Sequence, residues 1–281
     1  MSELYRPDVG QVYRRYRPNV ASFYPIWFSN YGEVARSNHI QFSDVSTLPH
    51  ELENHTLNEA TSIASYHPFK MAVLMGPLCS GKSLVKDHLK RKGIPTVSDY
   101  ITRNPRLNEI NGDEYKFVSN SELIALYQTG SLVYINDHIH SDMEAPYKSG
   151  FPKEPFMDLV EGDLPFFITK TFGGWSKLED FLQKQGGSSE LLENSSINVF
   201  LLPPTPHVLA LRAIQRTLNN FAVPLFSELD SDVELRLMVE FDRSIANPNI
   251  LTQSLNLRRI VYLINDDPDR VTSKILALLG K

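Results

Sequence analysis

The sequence predicts an α/β fold in which a parallel sheet is flanked by helices. Three observations predict it. Short runs that are apolar at nearly every residue recur from residue 70 onward, at KMAVLMG, LPFFIT, INVFLL and RIVYLI. Such runs suit strands buried on both faces. Segments of helical period alternate with them, at SLVKDHLKRKG, TPHVLALRAIQR and DPDRVTSKILALL, and strands alternating with helices imply crossovers and a covered parallel sheet. Third, the helices carry start and stop signals. Thr205 with Pro206 and Asp267 with Pro268 pair a capping side chain with proline at the first helical position. Ser119 and Glu122 make a capping box ahead of LIALY, and Gly93 ends the helix of SLVKDHLKRKG.

The chain has 281 residues, a net charge of −5 and 42% hydrophobic residues, a balance that suits one large domain or two smaller ones. The mild acidity makes nucleic acid an unexpected partner, since that surface usually needs a basic face. The single cysteine, Cys79, allows no disulfide within the chain. The opening MSELYRPDVG does not read as a signal peptide, and no apolar stretch approaches the roughly 20 residues that span a bilayer. A cytoplasmic location without membrane attachment is the expectation.

Two regions are expected: an N-terminal extension over residues 1–68 and a main domain over 69–281. The first thirty residues mix Arg6, Arg14, Arg15 and Arg17 with Tyr5, Tyr13, Tyr16, Tyr24 and Trp27. Packing of these rings against the main domain is the favoured reading. An arm that stacks on a protein partner is the other. Residues 38–66 are polar and weakly helical.

GPLCSGKS, from Gly76 through Pro77, Leu78, Cys79, Ser80, Gly81 and Lys82 to Ser83, matches G-x-x-x-x-G-K-[ST] at every required position, with an apolar strand before it and a helix after it. Glycines let successive backbone N–H groups converge on a phosphate, and the helix N-terminus adds a positive dipole end. Lys82 supplies charge for the β- and γ-phosphates, and Ser83 is placed to ligate Mg²⁺. The expected ligand is ATP on a P-loop NTPase fold. Further on, VSDYITRNPRLNEINGDEYKFVS brings Arg103, Arg106 and Tyr115 into one segment, a set able to hold a second phosphate through charge-assisted bonds. His138 and His140 beside Asp137 and Asp142 have spacing that could bind a metal. A solvated strand end is the favoured reading there.

From residue 70 to 281 the chain resembles the guanylate kinase family. The resemblance rests on the P-loop and then on Thr102, Arg103, Pro105, Arg106, Glu109, Gly112, Tyr115, Phe117 and Val118, which follow the family's T-R-x-P-R…E…G-x-x-Y-x-F-V order. APYKS resembles a further acceptor segment and contributes Tyr147 and Ser149. FLLPPTPHVLALRAIQR is similar to the turn and helix leading into the family's lid, which makes Arg212 and Arg216 the implied lid arginines. Arg236 is similar to another arginine that reaches the transferred phosphate. VYLINDDPDR resembles the final strand and turn, with Asn265 implied near adenine. The resemblance implies phosphoryl transfer from ATP to a small phosphorylated acceptor, GMP by family. Arg103, Arg106, Tyr115, Tyr147 and Ser149 would hold the acceptor, and Lys82, Mg²⁺, Arg212, Arg216 and Arg236 would neutralise the transferring group.

The departures cluster where the family reads guanine. Asp99 stands in place of a serine, Tyr134 in place of a glutamate, and Ile168 and Lys170 in place of two aspartates. Lys170 is left available to an anionic acceptor, and Asp137, Asp142 and Glu144 lie near enough in sequence to substitute for the lost carboxylates. DYITR also resembles the ribose bisphosphate phosphokinases, so a sugar phosphate is an alternative acceptor. A phosphopeptide-binding module with little catalysis is another, although such modules usually have a degraded P-loop.

Overall fold

The computed structural model describes residues 32–37, 39–40, 47–77, 79–105, 109–113, 115–138, 146–184, 191–202, 205, 207–209, 211–212, 254, 257 and 259–281. The predicted strands and helices fall into an α/β arrangement of two four-stranded sheets. In chain order the elements are helix α1 (Leu48–Tyr66), β1 (Met71–Met75), α2 (Lys82–Arg91), β2 (Asp99–Ile101), β3 (Tyr115–Phe117), α3 (Asn120–Gln128), β4 (Leu132–His138), β5 (Tyr147–Pro152), α4 (Glu154–Glu161), β6 (Phe166–Thr169), α5 (Phe172–Lys184), β7 (Ser196–Leu202), β8 (Ile260–Ile264) and α6 (Pro268–Leu278).

The four apolar runs build the main sheet, in the order β6-β1-β7-β8, and every pairing in it is parallel. β1 is buried at each residue, and so is β7. Alternate residues therefore serve two cores. Met71, Val73 and Met75 face a cluster that includes Phe156, Trp175, Phe200 and Tyr262. Ala72 and Leu74 face a second cluster with Val85 and Leu89 of α2 and Val271, Ile275 and Leu278 of α6. Crossover helices on both faces are what a parallel sheet requires.

The second sheet, in the order β3-β2-β5-β4, differs from the expectation of one parallel sheet. β5 runs antiparallel to both β2 and β4, while β2 and β3 run parallel. Three-residue strands such as β2 and β3 are too short to show a period in sequence.

α1 covers the β8 edge. Its residues Leu48 and Leu52 join the first cluster and Ala60 and Ala64 the second. The backbone N–H of Tyr262, on the outer side of β8, donates to Thr56 Oγ1 at 3.1 Å. A helix that supplies an acceptor to an edge strand removes the free ladder group on which another chain could pair. Glu53, buried on α1, accepts from Arg270 Nη1 at 3.1 Å and from Lys274 Nζ at 2.8 Å, both of α6. α1 thus closes against the last strand and the last helix together. The capping signals are also present. Ser119 and Glu122 form the reciprocal capping box, Asp267 accepts from Asp269 N at the start of α6, and Thr205 Oγ1 accepts from Val208 N at 3.2 Å.

Candidate active site

β1 ends at Met75, and the chain then turns through Gly76–Gly81 into α2. The turn needs left-handed backbone at three places, Gly76 (φ 139°), Cys79 (φ 60°) and Gly81 (φ 90°). Glycine is also required for space at two of them. A Cβ on Gly76 would stand 2.6 Å from the Leu201 carbonyl oxygen, and one on Gly81 would stand 2.3 Å from Asn265 Nδ2. The loop is therefore clamped between β7 and the end of β8, and its two glycines are fixed by neighbours as well as by torsion.

Lys82 opens α2. Its ammonium donates to the carbonyls of Gly76 at 2.8 Å and Pro77 at 2.7 Å, which pins the lysine across the mouth of the loop. Ser83 follows in the exposed first turn of α2. On the far side, Asn265 Nδ2 donates to the Ser80 carbonyl at 2.7 Å. Arg212 donates to the same carbonyl at 3.3 Å and to the Asn265 carbonyl at 2.8 Å. Burial lowers the Arg212 pKa, against the opposing pull of Cys79 and Asp266, and the guanidinium stays charged. Asn265 is buried, and both its amide nitrogen and the nearby Arg212 are spent on holding the loop. Two groups that the resemblance assigned to adenine and to the lid thus brace the phosphate loop from behind.

The loop suits nucleotide phosphates. Ser80 is fully buried within it, and its Oγ has no hydrogen-bond partner among the described residues. Buried hydroxyls are normally satisfied, and a phosphate oxygen in the cradle would supply the missing partner. β6 ends at Thr169 and is followed by Lys170; within the loop, Ser83 is the side chain that could ligate a Mg²⁺ ion accompanying ATP.

On the second sheet, Arg103 follows β2. Its guanidinium binds Glu109 bidentately, Nη1 to Oε2 and Nη2 to Oε1, each at 2.6 Å. It lies over the rings of Tyr115 at 5.4 Å and Phe117 at 5.6 Å. Burial alone would lower the Arg103 pKa, but the bond and charge of Glu109 outweigh it and the net shift is upward. Tyr147 stacks on His138 with ring centroids 4.6 Å apart, and His138 Nε2 and Ser149 Oγ share a hydrogen bond of 2.8 Å. His138 therefore joins Tyr147 and Ser149. Of the four residues in the metal reading of this region, His140 and Asp142 lie outside the described residues, among which no group of three or more His, Cys, Asp or Glu side chains could hold an ion.

The structure thus brings Gly76, Pro77, Cys79, Ser80, Gly81, Lys82, Ser83, Arg212 and Asn265 to one end of the main sheet, and sets Arg103, Tyr115, Tyr147 and Ser149 on the second sheet. Leu78, Arg106, Arg216, Arg236, His140, Asp142, Glu144 and the aromatic-arginine arm lie outside the described residues.

Lys170 corrects one expectation. It is not available to an anionic ligand, because its Nζ bonds Asp99 Oδ1 at 2.7 Å and the side chain is 3% exposed. The ammonium also lies 3.7 Å from the Phe151 ring centroid. Desolvation lowers its pKa, against the opposing effect of Asp99. Lys86 was missed in sequence. It is buried on α2, its ammonium is 6.0 Å from the Tyr115 ring, and its charge is felt at Lys170. Its position four residues after Lys82, hence on the same helix face, is the signal that could have found it. No local signal joins Asp99 to Lys170, 71 residues apart.

Comparison with known proteins follows the same segments. The guanylate kinase family model matches residues 69–139, the stretch that holds the phosphate loop and Arg103. The guanylate kinase of Rhodococcus jostii is 26% identical over 207 residues, covering 73% of this chain and 91% of that protein. Over most of its length the chain is similar to guanylate kinases. The guanylate kinase of Mycolicibacterium paratuberculosis is 26% identical over 72% of this chain and 83% of its own length, and that of a Wolbachia strain is 25% identical over 75% and 92%. Among solved structures, guanylate kinase from Anaplasma phagocytophilum matches with a TM-score of 0.46 and 15% identity, over 76% of this chain and 85% of that one.

Proposed function

We propose that this protein transfers a phosphoryl group from ATP to a nucleoside monophosphate, with the donor held at the end of the main sheet and the acceptor by residues of the second sheet. The observation that carries the reading is the phosphate cradle. Its left-handed turns at Gly76, Cys79 and Gly81, its buried Ser80 hydroxyl, without a partner among the described residues, and Lys82 at the start of α2 suit the phosphates of ATP. The relatives bear the name guanylate kinase, which supports a monophosphate as acceptor and puts GMP first among acceptors by family.

In this reading Lys82 exchanges its bonds to the Gly76 and Pro77 carbonyls for phosphate oxygens. The N–H groups of the loop and the N-terminus of α2 stabilise charge there. Mg²⁺, when bound with ATP, supplies charge neutralisation at the β- and γ-phosphates, with Ser83 as its ligand from this chain. Arg103 exchanges Glu109 for the acceptor's phosphate, with Tyr115, Tyr147 and Ser149 around it. An ionised acceptor oxygen needs no general base, so positioning and electrostatics can supply most of the rate. Arg106, Arg216 and Arg236 belong to the same proposal by resemblance alone.

The test is phosphate transfer from γ-labelled ATP to a panel of nucleoside monophosphates. Label should appear in a diphosphate product, and Lys82→Ala should lower the rate by about two orders of magnitude or more. Failure of every monophosphate to accept label, with ATP shown to bind by titration, would overturn the reading.

A further inference from the structure

We propose that Glu53, on the helix that precedes the phosphate-loop segment, is a positioning residue for nucleotide binding: it sets Arg270, Arg270 sets the turn at Asn265, and Asn265 holds the phosphate loop in its receptive shape. The proposal rests on the reading of that loop as the ATP site. It adds to the site a residue of α1, a helix that lies before the matched stretch 69–139.

The contacts start at the loop. The Ser80 carbonyl accepts from Asn265 Nδ2 at 2.7 Å. In a trans peptide the carbonyl and the following N–H point in opposite directions, so a fixed Ser80 carbonyl fixes the direction of the Gly81 N–H. That N–H is one of the donors that such a loop turns toward a phosphate. Asn265 is held in its turn along the backbone. Its N–H donates to the Leu202 carbonyl of β7 at 2.7 Å. The Ile264 carbonyl of the same peptide accepts from Arg270 Nη2 at 2.6 Å, and the Asn265 carbonyl accepts from Arg212 Nη2 at 2.8 Å.

Arg270 carries the turn. Besides the Ile264 carbonyl it holds Asp266 Oδ1, through Nε at 3.0 Å and Nη2 at 2.7 Å. The residues before and after Asn265 are thus held by one guanidinium. That group is a planar, rigid fork, so a partner on its third nitrogen sets the plane in which the other two act. The partner is Glu53, whose Oε1 accepts from Arg270 Nη1 at 3.1 Å.

Glu53 is suited to be the fixed end. Its side chain is 3% exposed, and α1 is seated by Leu48 and Leu52 in the core. Lys274 Nζ donates to the same carboxylate oxygen at 2.8 Å, so the buried charge is met by two cations. Arg270 is different, being 33% exposed, and water could satisfy its charge. What the buried carboxylate adds is orientation. A half-open arginine loses rotamer freedom when it docks on a turn, and an anchor that has already restricted it lowers that cost. Order established before the ligand arrives is read as affinity.

The experiment uses the full chain. ATP affinity is measured by calorimetric titration, and stability by urea titration, for the wild type, Glu53→Gln, Arg270→Lys and Lys274→Met. Glu53→Gln keeps the shape and withdraws the charge that orients Arg270, and Arg270→Lys keeps a charge and removes the fork. Each is expected to raise the Kd for ATP by about threefold to tenfold. Lys274→Met takes away the second cation on Glu53 but leaves Arg270 and the turn in place. It is expected to lower the urea midpoint while the Kd for ATP stays within about twofold of the wild type. If Glu53→Gln does not fold, Glu53→Asp, which draws the carboxylate back by one methylene, takes its place with the same expectation. A merely structural role would make ATP affinity follow the urea midpoint across all the variants, and that result overturns the inference, as does wild-type affinity in the Glu53 variant. A second arm needs no nucleotide. Amide exchange at Asn265 is compared, within each sample, with exchange at Val199, which pairs with both neighbours inside the main sheet. The ratio is expected to rise in the Glu53 variant and not in Lys274→Met. If the wild type binds no ATP, the reading of the loop as an ATP site fails and this ratio decides alone. A raised ratio leaves Glu53 as the brace of the loop, and an unchanged one overturns it.

Discussion

At the scale of single residues, the phosphate loop is set by contacts from behind as much as by its own torsions. Gly81 has φ of +90° and sits where any Cβ would meet the Asn265 amide at 2.3 Å. That amide and Arg212 both bond the Ser80 carbonyl. Gly81→Ala is therefore expected to cost about 1–2 kcal/mol from the backbone conformation alone, and to displace Asn265 as well. Denaturant titration should show the loss of stability, and calorimetry should show weakened ATP binding. ATP affinity equal to that of the wild type would mean that the loop does not depend on this brace. Arg103 is also constrained at this scale. Two of its five N–H donors are committed to Glu109, so a ligand at this guanidinium would share it with that carboxylate or displace it.

At the scale of elements, α1 lies before the segment that resembles the family and yet is packed against the sheet. It fills both cores at the β8 edge, and its Thr56 hydroxyl answers the Tyr262 N–H. Thr56→Val keeps the shape and removes the acceptor. It is expected to lower stability by about 1–3 kcal/mol, the cost of leaving a buried N–H unpaired. The amide of Tyr262 should then exchange its hydrogen faster than that of Phe200, its register partner on β7. Unchanged exchange at Tyr262 would show that the edge is closed by other means.

At the scale of the whole molecule, several surface carboxylates give stability an acid limit. The Lys90 ammonium holds Asp113 below its ordinary 3.8, Lys148 does the same for Asp137, and the Ser119 N–H and hydroxyl hold Glu122 below 4.5. Burial pushes Asp266 up, but Arg270 outweighs it and the net shift is downward. In each case the native state binds fewer protons than the unfolded state, so stability rises with pH through this window. Their contribution is complete above the ordinary values and is lost as pH falls through the lower native ones. The urea midpoint should accordingly be level with respect to these groups above about pH 5 and fall below about pH 4. A midpoint that rose on acidification would contradict these assignments.

The main sheet, its flanking helices, the capping residues and the phosphate loop were legible in the chain because each is written in neighbouring residues. Apolar runs, a 3.6-residue period, a Ser-x-x-Glu box and an eight-residue loop motif all act within one or two turns of chain. What only the tertiary structure decided depends on partners far apart in sequence. The antiparallel placement of β5, the closure of the β8 edge by Thr56, the use of Arg212 and Asn265 behind the loop and the joining of Lys170 to Asp99 across 71 residues leave no periodic or local trace. Asp99 and Lys170 each stood out in sequence as a departure. Only the fold shows that the two are one feature, because a buried ammonium is tolerable only where a carboxylate is brought to meet it.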